Sequence, residues 1–96
     1  MSVGVVAKLR VKEGMNREFE TVFRQLAEAV DNNEPGCNYY ELHKSNSDRQ
    51  LYIVLEQYLD EDALEAHEHT EHMKVLGARL APFLKAPPDV EIMISV

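Results

Sequence analysis

Residues 34–72, EPGCNYYELHKSNSDRQLYIVLEQYLDEDALEAHEHTEH, contain the clearest fold signals of this chain. It begins with the turn signal Pro35-Gly36, after which two runs rich in β-branched and aromatic residues occupy positions 37–44 and 51–59. A polar, serine-containing segment separates the two runs, so they predict a β-hairpin. Asp60 then precedes a helical pattern, and its carboxylate is suited to cap the N-terminus of that helix.

The residues before this stretch predict a strand and a helix. Residues 3–12 are rich in valine and later alternate between apolar and basic side chains, which is typical of a strand. From residue 15 to residue 33 the apolar positions recur at helical spacing, and Pro35-Gly36 ends the segment. The predicted apolar stripe consists of Met15, Phe19, Val22, Phe23, Leu26 and Val30.

The helical pattern after Asp60 is interrupted near Thr70, which can cap a restart of the helix. Pro82 distorts or ends the restarted helix, and residues 90–96 alternate as a last strand. The element order β-α-β-β-α-β predicts one α+β domain over residues 1–96. It is the ferredoxin-like arrangement, an antiparallel sheet with both helices on one face.

The chain has a strongly acidic balance. Its 17 acidic and 10 basic residues give a formal net charge of −7, so neither nucleic acid nor an anionic membrane is expected as a partner. The single cysteine, Cys37, excludes an intrachain disulfide and suits a reducing compartment. With no signal segment and no apolar run of membrane-spanning length, we expect a cytoplasmic protein.

The strands carry more apolar residues than one buried face needs. A sheet covered by helices on one side normally shows alternating polar residues on the other. Residues 51–55, LYIVL, do not alternate, and Val5-Val6 and residues 92–94 behave similarly. A large exposed apolar face is rare in a soluble monomer, so the pattern predicts a homodimer that buries the second face.

The histidines are the first candidates for chemistry. His67 and His72 are predicted to face a pocket as acid/base or hydrogen-bonding groups, whereas His69 is predicted to be solvated. His43 lies on a strand and faces either the pocket or its rim. No two histidines stand four residues apart and the segment matches no zinc signature, so no metal site is predicted.

Other polar residues of the hairpin have competing interpretations. Tyr40 and Tyr58 are candidates for a pocket wall, although aromatic residues on strands are more often core residues. Glu56 interrupts an apolar strand and is paired, exposed at an edge or functional; pairing with Arg49 or Arg79 is the favoured interpretation. Cys37 is expected to be a small buried side chain, and no glycine-rich loop predicts nucleotide binding.

Several segments of this chain together resemble the antibiotic biosynthesis monooxygenase family. They are Glu34-Pro35-Gly36-Cys37, Tyr40-Glu41-Leu42, Leu55-Glu56-Gln57-Tyr58, Asp60, Ala63-Leu64-Glu65-Ala66-His67 and His72. The resemblance covers essentially the whole chain and implies a dimeric α+β barrel, in which the sheets of two subunits pack face to face. It also implies a pocket between the sheet and the helices of each subunit. Relatives oxidise quinols, anthrones and similar aromatics with O2 and without a bound flavin or metal.

The chain departs from this family in one respect that bears on the reaction. It contains no tryptophan, whereas haem-degrading relatives use a tryptophan, a helix histidine and an asparagine at the position that Ala7 occupies here. Haem degradation is therefore not expected. Anthrone-oxidising relatives also rely on a tryptophan, for which Tyr58 is the nearest match.

The resulting hypothesis is a cofactor-independent monooxygenase acting on a small electron-rich aromatic molecule. His67 or His72 would remove or position a proton, and Tyr40, Tyr58 and His43 would line the pocket. Two alternatives stay open. The first is an isomerase or lyase of a small carbonyl compound, in which the same histidines transfer protons. The second is a ligand-binding or stress-response dimer without turnover.

Overall fold

A computed structural model describes residues 1–96 and contains four strands, three α-helices and one short 3-10 helix. In chain order they are β1 (Val3–Arg10), α1 (Asn16–Asn33), β2 (Cys37–Lys44), β3 (Leu51–Tyr58), α2 (Glu61–Glu68), α3 (Glu71–Leu80), the 3-10 helix Ala81–Phe83 and β4 (Asp89–Ile94). The predicted element order is confirmed, with the second predicted helix divided into α2 and α3. None of these helices has the length and apolar character needed to cross a membrane.

The four strands form one antiparallel sheet in the order β2-β3-β1-β4. In the register of β1 with β3, Val5 stands opposite Glu56 and Ala7 opposite Val54, so these residues share one face of the sheet. The helices cover this face, which we call the helix face, and the other is the open face. The ferredoxin-like fold predicted from the sequence is confirmed.

The core lies between the helix face and α1. All residues of the predicted apolar stripe are buried except Met15, which lies before the helix begins. Phe19 packs against Tyr52 with ring centroids 4.7 Å apart, and Phe23 stacks on Tyr40 at 5.6 Å. These contacts fix α1 across β2 and β3.

The two helices after the hairpin are capped as the sequence predicts. The Asp60 carboxylate accepts a hydrogen bond of 2.8 Å from the backbone N–H of Ala63, at the first turn of α2. The Thr70 hydroxyl accepts one of 3.2 Å from the N–H of Met73 and starts α3. Because Thr70 has an extended backbone, α3 does not continue the axis of α2.

Gly36 allows α2 to approach the beginning of β2 closely. A Cβ atom at position 36 would lie 2.8 Å from the Cβ of Ala63, closer than two such atoms can stand. The carbonyl of Gly36 also accepts a hydrogen bond of 2.8 Å from the N–H of Leu59. The turn after α1 is thereby held against the start of α2.

Two apolar surfaces stay uncovered in a single chain. On the open face, Leu55 is 38% exposed and Met93 is 40% exposed, as the non-alternating strands predict. On the helix face of the edge strand β4, Val90 and Ile92 are about half exposed, although they pair with the buried residues Ala7 and Val5. No helix packs across β4, so the helix face is open along this edge.

Candidate active site

A cavity of about 280 Å³ lies between the helix face of the sheet and the helices α1 and α3. Glu56 and His67 are its only lining residues with an ionisable carboxylate or imidazole, and Tyr40 contributes a phenol. The rest of the wall is apolar and consists of Ala7, Leu9, Phe19, Phe23, Leu26, Val54, Met73, Gly77, Leu80, Ala81, Leu84, Pro88 and Val90. An apolar cavity with few convergent polar groups is the typical form of a small-molecule site.

Glu56 is an isolated carboxyl group in this apolar wall. Its position on β3 follows from strand alternation, since it shares the helix face with Val54 and Tyr58, and it is only 8% exposed. The Tyr58 hydroxyl donates a hydrogen bond of 2.6 Å to Oε1 of Glu56. Burial raises the pKa of Glu56 to about 7, and the negative charges of Glu34 and Glu68 add to the rise, whereas the Tyr58 bond opposes it.

His67 is the second polar group of the cavity wall and is 4% exposed. Its Nδ1 lies 2.8 Å from Oε1 of Glu34, and its Nε2 lies 4.0 Å from Oε1 of Glu56. The ring is also held between two tyrosines, with centroid distances of 5.3 Å to Tyr40 and 5.0 Å to Tyr58. One ring nitrogen therefore bonds to a carboxylate, and the other is directed toward Glu56.

Glu34 joins His67 to His72. Its Oε1 bonds to Nδ1 of His67, and its Oε2 bonds to Nε2 of His72. On an unbroken helix, residues 67 and 72 would point about 140° apart, because each residue turns the helix by about 100°. The break at Thr70 removes this restriction and lets both imidazoles reach one carboxylate.

This carboxylate–histidine cluster is arranged for hydrogen bonding. Each Glu34 oxygen bonds directly to one imidazole nitrogen, so these lone pairs do not converge on a common empty point. No group of three or more His, Cys, Asp or Glu side chains is placed to hold a metal ion.

The structure brings together four of the five site residues predicted from the sequence, but only two of them line the cavity. His67 and Tyr40 lie on the wall. Tyr58 is fully buried behind Glu56, which it contacts through its hydroxyl. His72 is connected to the wall residue His67 only through Glu34, which does not line the cavity. Burial raises the pKa of Tyr40 above its ordinary value, with the charges of Glu56 and Glu34 adding to the rise.

His43 does not lie with the other four. It pairs with Ile53 on the open face and is exposed, so the prediction that it lines the same pocket as Tyr40 is wrong. The physical reason is the strand period of two, since residues three positions apart on a regular strand point to opposite faces. His69 is exposed as predicted, and its Nδ1 bonds to the backbone carbonyl of Glu65.

Glu56 and Glu34 are functional candidates that were not among the site residues predicted from the sequence. Function is the less favoured interpretation of Glu56 in the sequence, and the favoured one, pairing with Arg49 or Arg79, is wrong. The partner of Glu56 is Tyr58, and Arg79 bonds to Gln25. The available signal was a carboxylate in phase with the apolar positions of β3. Glu34 had no such signal, because it stands in a turn without periodicity.

Cys37 is partly buried and has no role in the cavity wall. Burial raises the pKa of its thiol to about 11, and the negative charges of Glu34, Glu56 and Asp31 add to the rise. A thiol with so high a pKa is a poor nucleophile at neutral pH, which agrees with the interpretation of Cys37 as a packing residue.

Comparison with known proteins places this site in a family. The sequence profile described as "Antibiotic biosynthesis monooxygenase" matches residues 2–79, a range that contains every residue of the cluster. A crystal structure described as a "putative antibiotic biosynthesis monooxygenase" from Caulobacter crescentus CB15 is 41% identical and superposes with a TM-score of 0.96, covering 99% of this chain and 90% of that one.

Two further proteins are similar to this chain over most of its length. The "Putative monooxygenase YcnE" of Bacillus subtilis (strain 168) is 29% identical over 84 residues, which are 88% of this chain and 87% of that protein. A conserved protein of Methanosarcina mazei Go1 is 27% identical, with a TM-score of 0.91 over 97% of this chain and 91% of its own.

Proposed function

Because the chain belongs to the antibiotic biosynthesis monooxygenase family, we propose that it is a cofactor-independent monooxygenase. Its substrate is a small electron-rich aromatic molecule of the quinol or anthrone type, and its oxidant is O2. The observation that carries this proposal is the apolar cavity of about 280 Å³, in which Glu56 and His67 are the ionisable wall residues. Such a site binds an aromatic ring and takes a proton from it.

The spacing of the two polar groups suits a substrate hydroxyl. Nε2 of His67 and Oε1 of Glu56 lie 4.0 Å apart, too far for a direct hydrogen bond. One hydroxyl oxygen can lie about 2.8 Å from each of them at the same time. With its pKa of about 7, Glu56 is divided between its acid and base forms at neutral pH, which is the favourable range for general base catalysis.

The protein needs only to bind and deprotonate the substrate, because the substrate itself reduces O2. Removing a proton from an anthrone or quinol leaves an electron-rich anion that can pass an electron directly to O2. In the anthrone case the ring CH2 becomes C=O, one oxygen atom enters the product and the other leaves as water, so no external reductant is needed. The apolar wall shields the reactive anion from solvent water.

The same proposal includes a homodimer formed through the open face. Leu55 and Met93 are 38% and 40% exposed there, and the partly buried residues Val6 and Ile53 extend the apolar surface. A second copy of the chain is the occupant of this face that the family resemblance implies, and the apolar character of the face agrees with it. A standard interface of about 800 Å² per partner would cover this face.

The experiment that tests the proposal is oxygen uptake by metal-stripped protein with a panel of hydroquinones and anthrones. We expect uptake above the rate without protein and a loss of at least about tenfold in Glu56→Gln, since one proton acceptor is removed. His69→Ala is the matched control, because His69 is exposed on the same segment as His67. Uptake equal to the rate without protein would reject the oxygenase.

An isomerase or lyase of a small carbonyl compound is the second candidate. It is favoured by the same pair of proton-transfer groups, because moving a proton between two carbon atoms needs no oxidant. Turnover that continues under nitrogen would identify it. Saturable binding of aromatic ligands without turnover in either atmosphere would identify a ligand-binding dimer.

A further inference from the structure

We propose that Glu34 and His72 are positioning residues for His67. Glu34 fixes the imidazole tautomer that leaves Nε2 free to accept a proton in the cavity, and His72 holds Glu34 in place. This inference rests on the proposed function in one respect, the assignment of His67 to proton transfer. The arrangement of the three side chains is a property of the resting protein and can be tested without substrate.

The first step is the bond between Glu34 and Nδ1 of His67. A carboxylate accepts hydrogen bonds and does not donate them, so the nitrogen 2.8 Å from Oε1 carries the hydrogen atom. In a neutral imidazole the other nitrogen, Nε2, is then the acceptor. Nε2 is the atom directed toward Glu56, so the tautomer presents a lone pair where the proposed substrate hydroxyl would lie.

The second step is the position of His72. Its side chain is 16% exposed against 4% for His67, and it is absent from the residues that line the cavity. It therefore contributes no atom to the cavity wall. Its Nε2 bonds to the second oxygen of Glu34, the one that His67 does not use.

The third step is the environment of Glu34. Its side chain is 9% exposed, and its two oxygens have one imidazole partner each. A carboxylate that loses a hydrogen-bond partner in such surroundings is destabilised, and turning toward water lowers its free energy. Without His72, Glu34 would therefore leave His67, and the imidazole could adopt either tautomer. This is the relation between a carboxylate and a catalytic imidazole in hydrolase triads.

The decisive readout is the tautomer of His67, measured by long-range 1H–15N correlation spectra of protein labelled with 15N-histidine, without substrate. We expect Nδ1–H in the wild type and a mixture of both tautomers in Glu34→Ala. His69→Ala serves as the control and assigns one of the other histidine signals. An Nε2–H tautomer of His67 in the wild type would overturn the proposal even if Glu34→Ala fails to fold.

A pair of variants at His72 separates positioning from catalysis. The amide N–H of His72→Gln can still donate to Glu34, whereas His72→Leu cannot. We expect His72→Gln to keep the Nδ1–H tautomer and at least about half of the wild-type kcat. In His72→Leu, we expect His67 to populate both tautomers. The kcat of this variant should fall at least about tenfold, with KM little changed. Equal loss of kcat in both variants, with the tautomer of His67 preserved, would show that His72 acts in catalysis itself.

The two proposals fail in different ways. If the protein consumes no oxygen, the spectra of His67 still decide whether Glu34 and His72 control its tautomer. If oxygen is consumed but the tautomer is indifferent to Glu34→Ala and His72→Leu, the positioning inference is wrong and the oxygenase stands.

Discussion

The hydroxyl of Tyr58 donates a hydrogen bond of 2.6 Å to Oε1 of Glu56, two residues earlier on the same face of β3. Both side chains are buried, so this bond is the main compensation for placing a carboxyl group among apolar residues. Tyr58, a candidate for the pocket wall in the sequence, thus affects the ionisation of its neighbour Glu56.

Replacing Tyr58→Phe should make Glu56 harder to ionise. The bond from Tyr58 stabilises the carboxylate form, so its loss raises the pKa of Glu56 above about 7. The acid limb of kcat/KM should move to higher pH by about one to two pH units, since a charge-assisted hydrogen bond is worth about 1.5–3 kcal/mol and one pKa unit corresponds to about 1.4 kcal/mol. Tyr39→Phe, on the open face, is the control and should leave the profile unchanged. If the acid limb of Tyr58→Phe stays at the wild-type pH, ionisation of Glu56 does not determine that limb.

Glu56→Gln should stabilise the protein at alkaline pH while it reduces activity. The pKa of Glu56 is raised from 4.5 to about 7, so its contribution to stability is fully present below pH 4.5 and is lost as pH rises through 7. Between these pH values the free energy of unfolding of the wild type falls by on the order of 3 kcal/mol. Glutamine does not ionise, so the variant does not show this fall. The groups facing Glu56 are Tyr58, His67 and the charged residues Glu34 and Glu68.

The measurement is the free energy of unfolding by urea at pH 5 and pH 8. We expect the free energy of unfolding of Glu56→Gln to be clearly larger than that of the wild type at pH 8 and close to it at pH 5. Glu28→Gln, at an exposed position on α1, is the matched control and should follow the wild type at both values. A constant difference between Glu56→Gln and wild type across this range would contradict the raised pKa.

Filling the cavity at Gly77 should block the site without unfolding the protein. Gly77 lies on the wall, and a Cβ atom added there meets nothing within 4 Å. Glycine within a helix costs up to about 1 kcal/mol relative to alanine, so Gly77→Leu is expected to keep or raise the melting temperature. The KM for an aromatic substrate should rise at least about tenfold. Ala78→Leu is the exposed neighbour for comparison, and equal KM values would show that substrate binds elsewhere.

A charge on the open face should separate the proposed dimer. Leu55→Lys would place an ammonium group beside Val6, its partner across β1 and β3. We expect light scattering to report a dimer for wild type and a monomer for this variant at the same micromolar concentration. Leu59→Lys, outside the sheet, controls for added charge. A wild-type mass of one chain would reject the dimer directly.

The sequence predicted the fold better than the site, and particular residues show why. Alternation and helical spacing act locally, so the strands, α1 and the caps at Asp60 and Thr70 were predictable within a few residues. On β2 the register shifts between Cys37 and Tyr39, and such a bulge decides which face each later residue takes.

The histidine cluster could not be predicted from local spacing. His67 and His72 both bond to a residue more than thirty positions away, and they reach it because the chain bends at Thr70. Helical periodicity alone suggests partners such as Glu71 for His67 and Glu68 for His72. The angle between α2 and α3 replaces those local pairs by one shared long-range partner.

The contact of Gly36 with Ala63 makes these two positions a coupled pair for protein engineering. The space between them holds a single methyl group, because a second one would lie 2.8 Å from the first. Gly36→Ala alone would push α2 away from the turn and carry His67 away from Glu34. Gly36→Ala together with Ala63→Gly restores the total volume. A combinatorial library of both positions should therefore recover the exchanged pair and reject two alanines, so that tolerance at either position is defined only jointly with the other.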